Sequence, residues 1–356
     1  MLAASSYYYV YLAIFTLIIL VVMSSYSQVD LSDRYKQSSS QDFFAVLVTI
    51  FVVLFIGFRP ISGVFVDMGG YAMQYNRMLG AYFFFNLDTE NLIFDNIIPF
   101  MASKMIPINI FFLVIALVYF GCMFWACHRL FPQDTLLALL CCLVAFSTFS
   151  YGTNGIKAGM AASLFLLAIA YRDKLWISIP LAIFTLGIHH SMLVVIVAYF
   201  CVLLVKNPKW YFIAWGISFC VAALHITWFQ HYFAGFTDEH GAGYLLSSRN
   251  SGFRIDFIIY SAVPVVIGYL MIFKYNLYSR TYDIILNLYL LTNSVWMLCM
   301  YANFTNRIAY LSWFLYPIVL LYPFVNLYWS DEQNKYLKYV VYGHLGFTLF
   351  MTFIYY

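Results

Sequence analysis

The sequence predicts an all-α protein, a polytopic transmembrane helical bundle of about 12 membrane segments. Three observations carry that expectation. Hydrophobic residues fill 64% of the 356 positions and charged ones 9%, where a soluble domain has about half and about a quarter. Mean hydropathy is +0.83. Apolar runs of near-spanning length recur from end to end, with no long polar linker, low-complexity tract or repeat between them. Residues 1–356 therefore read as a single integral membrane domain. The net charge of +3 is spread along the chain and implies no nucleic-acid partner.

The expected segments are 7–24, 43–58, 107–127, 134–151, 155–171, 175–188, 191–205, 210–229, 256–273, 282–300, 308–328 and 339–356. The opening "MLAASSYYYVYLAIF" lacks a basic n-region, so the first segment is expected to stay as an anchor. Alternate loops carry Arg34 and Lys36, Arg129, Arg172 and Lys174, Lys206 and Lys209, Lys274 and Arg280, then Lys335 and Lys338. That sets 11 of the 18 basic residues on one side. By the positive-inside bias this side is cytoplasmic, and both termini lie outside. The seven cysteines all fall inside these segments without Cys-x-x-Cys spacing, and read as small buried hydrophobes.

The other basic residues, Arg59, Arg77, Lys104, Lys157, Arg249, Arg254 and Arg307, oppose the bias. Arg59, Lys157, Arg254 and Arg307 stand at the outer ends of four different segments. Any one of them is explained by snorkelling, with the stem in lipid and the head in water. Four at matching depth point to a shared anion site.

The stretch 175–205 raises a separate question, because His189 and His190 are the sole acidic or basic residues among its 31. One helix of that length would measure about 46 Å, too long for a hydrocarbon core of about 30 Å, yet two full spans need about 40 residues. Its flanks, "YRDK" and "KNPK", carry the same cytoplasmic signature. The chain is therefore expected to enter, turn at "GIHHS" and return as a short hairpin pair, its turn forming the floor of an outward-open cavity. Gly187 either breaks the helix there or permits close packing. A histidine bonded to a neighbouring helix is the alternative to a functional one.

Two outer segments are long. In 59–106, Arg59 and Asp67 flank a turn, after which Tyr71, Tyr75, Met78 and Leu79 fall at helical spacing. One or two short interfacial helices are expected, either closing the bundle or guiding a lipid tail into a site. In 230–255, Asp238, Glu239 and His240 are consecutive, which does not make a convergent metal site. The 32 tyrosines suit both sugar stacking and the membrane interface. No Gly-x-x-x-x-Gly-Lys-Ser/Thr loop is present, so ATP is not the energy source. Asp-x-Asp and Gly-x-Ser-x-Gly are missing too, which argues against a metal-held nucleotide-sugar and an acyl enzyme.

Several stretches together carry a resemblance: "FRPISGVFVDMGGYAMQY", "ENLIFDNII", "YGTNGIKAGMAASLFLLAIAY", "GIHHSML", "GFRIDFIIYSAVPVVIGY" and "TNRIAYLSWFLYPIVLLYP". In this order, over 55–325, the chain resembles the EpsG family of bacterial exopolysaccharide and capsule proteins and, more broadly, Wzy-type polysaccharide polymerases. One departure is Lys157, in "NGIKAGMA", where family members commonly have arginine. Lysine keeps the charge and loses the planar fork that grips phosphate in bidentate fashion.

The resemblance implies a GT-C-like fold and a multi-pass glycosyltransferase in the bacterial cytoplasmic (inner) membrane, its active site and the segments 59–106 and 230–255 facing the periplasm. The donor it implies is a glycan on undecaprenyl diphosphate and the acceptor the next lipid-linked repeat unit, both drawn from the membrane lipids. The product is capsule, exopolysaccharide or O-antigen, and a chain-length regulator is an admissible further partner. Arg59, Lys157, Arg254 and Arg307 then bind the departing diphosphate. The base is His189 or Asp67. Of the two histidines, His189 matches the family position, two before Ser191. It is the preferred base, because its unperturbed pKa lies near 6.5 and neighbouring arginines favour its neutral form. Asp67 is otherwise placed to orient Arg59 or a sugar hydroxyl, and Asp256 suits a salt bridge or a helix start. A sugar diphosphate is already activated and cations take its charge, so neither cofactor nor metal is expected.

Three rivals remain. A flippase for lipid-linked sugars would also want membrane cations, although spread through the depth and within internal repeats. A glycan ligase would share the architecture. An O-acyltransferase would share an intramembrane histidine, but its partner motif is missing.

Overall fold

The computed structural model describes residues 2–25, 34–235, 239–247 and 252–355, without the side chains of 34–40, 240, 241 and 244. Asp238, Arg249 and the side chains of Arg34, Lys36 and His240 thus lie outside the described residues. Every regular element among the described residues is helical. In order these are α1 (Tyr7–Ser25), α2 (Arg34–Gly57), α3 (Met68–Arg77), α4 (Phe94–Ser103), α5 (Ile108–Leu130) and α6 (Thr135–Leu143). Next come α7 (Thr148–Thr153), α8 (Ile156–Ala170), α9 (Leu175–Ile188), α10 (Met192–Leu204), α11 (Pro208–Ala223) and α12 (Phe229–Ala234). The last are α13 (Glu239–Leu246), α14 (Ile255–Tyr269), α15 (Arg280–Leu298), α16 (Thr305–Trp313), α17 (Tyr316–Val325) and α18 (Gln333–Phe350).

Five helical stretches among the described residues are long and apolar enough to cross a membrane: Ala4–Ser25, Ile108–Leu130, Ile255–Lys274, Thr305–Val325 and Gln333–Tyr355. Shorter apolar helices cover Gln41–Gly57, Ile156–Ala170, Leu175–Ile188 and Met192–Leu204. Many leave large apolar side chains uncovered, among them Leu17 and Val21 on α1, Leu54 on α2, Leu117 on α5 and Ile259 and Val266 on α14. Such faces suit lipid rather than water. Cys201 and Cys220 share that exposure, so the expectation that every cysteine is covered by protein fails for these two. A thiol that faces hydrocarbon needs no protein cover.

Helix ends follow local chemistry. Asn207 caps α11, its side chain accepting from the Lys209 N–H at 3.0 Å, with Pro208 at the first helical position. The expected segment 210–229 stops at Ala223, because His225 adopts φ 57°, in the left-handed region. Its N–H and that of Ile226 close onto the carbonyls of Ala222 and Val221 at 3.0 and 3.1 Å.

The helices group into two compact units, Met1–His189 with Asn334–Tyr356, and His190–Gln333. In the first unit α5 packs on α2 and α8, α8 on α9, and α6 on α1, α2 and α5. The expected segment 134–151 is broken between α6 and α7, which exposes the last carbonyls of α6 inside the unit. Each acquires a side-chain donor. Cys141 O meets His344 Nε2 at 2.9 Å, Cys142 O accepts from Thr148 Oγ1 at 2.6 Å, Leu143 O from the Tyr11 hydroxyl at 2.6 Å, and Val144 O from Thr348 Oγ1 at 2.9 Å. Away from water, a helix end persists only with partners of this kind.

In the second unit α15 is the hub, touching α10, α11, α14, α16 and α17. Buried Asn293 on α15 accepts from Trp215 Nε1 at 2.9 Å and donates to Ser312 Oγ at 3.0 Å. Ser261 on α14 receives the Trp313 indole N–H at its hydroxyl and the Tyr289 hydroxyl at its carbonyl, both at 2.9 Å. Interhelical hydrogen bonds of this kind do the joining that apolar surface cannot do in lipid.

Candidate functional site

Arg59 follows α2 and is nearly inaccessible, at 2% exposure. Its terminal nitrogens donate to the carbonyls of Ile56 at 2.7 Å and Thr153 at 3.0 Å. These are the C-terminal ends of α2 and α7, where partial negative charge accumulates. Its guanidinium also lies 5.4 and 4.9 Å from the rings of Phe65 and Phe112. Burial pulls its pKa down to about 10, which leaves it charged at neutral pH. Asp67 is half-buried at the start of α3, two residues beyond Phe65.

Four residues after Thr153, Lys157 occupies the first turn of α8. A cation there opposes the helix dipole. Its ammonium pairs with Asp95 on α4 at 2.9 Å and lies 5.3 Å from the Phe94 ring. Close packing sets α8 beside α7: a Cβ on Gly159 would stand 2.7 Å from the Tyr151 carbonyl.

The apolar run breaks as its length requires, with α9 ending at Ile188 and α10 starting at Met192. His189 is half-buried and extended, φ −150° and ψ 112°, its N–H still bonded to the Thr185 carbonyl at 2.9 Å. Gly187 proves to be a packing glycine. The helix runs through it, its carbonyl accepts from the Ile93 N–H at 2.6 Å, and a Cβ would meet the Ile93 side chain at 2.6 Å. Arg59, Lys157 and His189 are therefore linked within the first unit through Thr153, Asp95, Ile93 and Gly187.

The far end of α8 carries the opposite set. Arg129 donates through Nε to the Ala170 carbonyl at 2.8 Å and pairs with Asp173 at 2.7 Å. That hydrogen bond holds the Asp173 carboxyl below its usual range. Lys157 and Ala170 are separated by about 20 Å of helix, so the two groups of cations belong to different ends.

In the second unit Arg254 precedes α14, gripping Asp256 with Nε at 2.9 Å and a terminal nitrogen at 2.5 Å, and stacking 3.8 Å from the Phe257 centroid. Arg307, exposed in the first turn of α16, lies 5.5 Å from the Phe304 ring. Phe304 has φ 51°, and the next residue, Thr305, accepts from Trp296 Nε1 at 2.9 Å. Phe257 meets Trp313 at 4.9 Å and Trp296 at 6.3 Å, so Arg254 borders an aromatic cluster to which Thr305, beside Phe304, is hydrogen-bonded.

The sequence reading missed Asp95. The signal was there: it is the one acidic residue in the apolar stretch 91–103, the same oddity that singled out the histidines. In the segment 59–106 two short helices do form, α3 and α4, with Tyr71 and Tyr75 of α3 packed on Phe111. Met78 caps that helix and Leu79 lies beyond it, exposed. The segment 230–255 holds most of the short helix α12 and all of α13.

No curated protein and no solved structure gives a significant match to the chain. The family model of the EpsG family matches residues 42–356, nearly the whole of it. The chain is a membrane protein that belongs to the EpsG family.

Proposed function

We propose that this EpsG-family protein of polysaccharide biosynthesis is a glycosyltransferase that polymerises lipid-linked repeat units. It would do so on the periplasmic face of the inner membrane, in a GT-C-like bundle of about 12 segments. The observation that supports the reading is the contact path from Arg59 to Lys157 to the end of the helix carrying His189. Two cations opposed to the topology signal and one imidazole sit along it.

In this reading an acceptor hydroxyl attacks the anomeric carbon of the donor glycan. The hydroxyl proton passes to His189, with Asp67 as the second candidate base, while the bond from sugar to diphosphate breaks. Undecaprenyl diphosphate leaves with the bonding electrons. In the first unit Lys157 carries its growing charge, and Arg59 adds a fixed positive centre at the helix ends it joins; Arg254 and Arg307 are the second unit's candidates for binding diphosphate. Lys157 acts as a point charge without the planar fork of an arginine, while the Arg254 fork is held by Asp256 and the terminal nitrogens of Arg59 by two backbone carbonyls.

Deleting the gene and resolving the cell-surface glycan on a gel tests this. Loss of a polymerase leaves single repeat units attached to the surface. Absence of any glycan outside would favour a flippase and overturn the proposal.

A further inference from the structure

The stretch "ENLIFDNII" has no part in the proposed reaction, yet its residues touch Lys157 and the end of α9. Asp95 Oδ1 accepts from Lys157 Nζ at 2.9 Å, and Oδ2 accepts from both the backbone N–H and the side-chain amide of Asn91, each at 3.2 Å. Phe94 presents its ring to the same ammonium, and Ile93 fastens the segment to the carbonyl of Gly187, two residues before His189. Asn91 is buried, while the side chains of Asp95 and Lys157 each keep 26% exposure. Asn91 and Phe94 thus hold a pair that is itself partly exposed.

We infer that Asp95 is a positioning residue that holds the Lys157 ammonium in the free protein and yields it to an incoming diphosphate. The inference rests on the diphosphate reading of Lys157. A carboxylate and a diphosphate oxygen compete for one ammonium, and the diphosphate brings the larger negative charge. A partly exposed ion pair is weak, so the exchange costs little. The two N–H groups of Asn91 keep the displaced carboxylate hydrogen-bonded where it is. Asp95 then remains as a like charge beside the bound diphosphate and favours release of the product.

Asp95→Asn keeps the shape, and an amide oxygen for Asn91, while removing the charge. The probe is inorganic pyrophosphate, titrated calorimetrically into the purified full-length protein in lipid nanodiscs. Asp95→Asn is expected to bind it roughly two- to fivefold tighter than wild type. Asp95→Glu should restore the wild-type affinity, and Asp95→Asn should tighten binding less in the Lys157→Gln background, where only the like-charge repulsion is relieved, than in wild type. In turnover, Asp95→Asn should lower KM and kcat together as product release slows, a split that a purely structural ion pair would not give. Wild type that binds, with Asp95→Asn equal to it or weaker, overturns the role of Asp95 and leaves the diphosphate reading standing. Wild type that binds no pyrophosphate overturns both.

Discussion

Ile93 and Gly187 approach more closely than any side chain between them would allow. The Ile93 N–H donates to the Gly187 carbonyl at 2.6 Å, and a Cβ on Gly187 would stand 2.6 Å from Ile93 Cδ1 and 2.7 Å from Cγ1. This contact fastens α4, with Asp95, to the end of α9, with His189. Gly187→Ala should push the two apart and cost about 1–3 kcal/mol, the usual range for overpacking. Ile93→Ala in the same chain should return part of that loss, because the truncated side chain vacates the methyl's position. Thermal unfolding of the four proteins in a double-mutant cycle measures it, and purely additive losses would mean that no such contact exists.

Arg59 bridges two helix ends, so its removal should harm stability as well as activity. Arg59→Ala leaves the carbonyls of Ile56 and Thr153 without their charged donor, at a cost of about 1.5–3 kcal/mol. Arg59→Lys should recover part of this, since one ammonium keeps the charge but not the fork that reaches both carbonyls. Melting temperatures that are equal for wild type and Arg59→Ala would refute the bridge.

The broken helix between α6 and α7 offers a test away from the site. Thr348→Val should leave the Val144 carbonyl without its hydroxyl and lower stability by about 1–3 kcal/mol. Glycan chain length should not change in cells that make normal amounts of this variant. A stability equal to wild type would show that this carbonyl needs no donor.

These cases also mark how far the sequence could be read. The break at His189–Ser191 was legible because a 31-residue apolar run between basic flanks fits neither one span nor two full ones. The break after Leu143 was not legible. "CCLVAFSTF" contains no proline or glycine, and the donors that make the interruption tolerable, Tyr11, Thr148, His344 and Thr348, are scattered over the chain. Cations that oppose the expected topology singled out Arg59, Lys157, Arg254 and Arg307, and the salt bridge expected of Asp256 is present, with Arg254. Sequence spacing gave no sign that Lys157 would find Asp95 62 positions away, because such a pair depends on how α4 docks.

Arg254 offers a contrast in charge and shape. Arg254→Lys retains the cation and loses the bidentate grip on Asp256 and the planar stack on Phe257. Chain growth should fall by about tenfold, in line with the loss of one charge-assisted contact. Normal chain length in this variant would remove Arg254 from the reaction.

The two candidate bases separate by substitution. His189→Ala should abolish chain growth, and Asp67→Ala should shorten chains without abolishing them, as expected if Asp67 orients rather than accepts the proton. Polymer length on gels reads both. If both variants polymerise normally, neither residue is the base.

The most direct measurement is made with the purified protein in liposomes, supplied with undecaprenyl-diphosphate-linked repeat units and an excess of chelator. Glycan ladders should lengthen with time while undecaprenyl diphosphate accumulates in step with each linkage, and His189→Ala should yield neither. Repeat units that cross the bilayer without joining, or ladders that return only when magnesium is restored, would contradict the account.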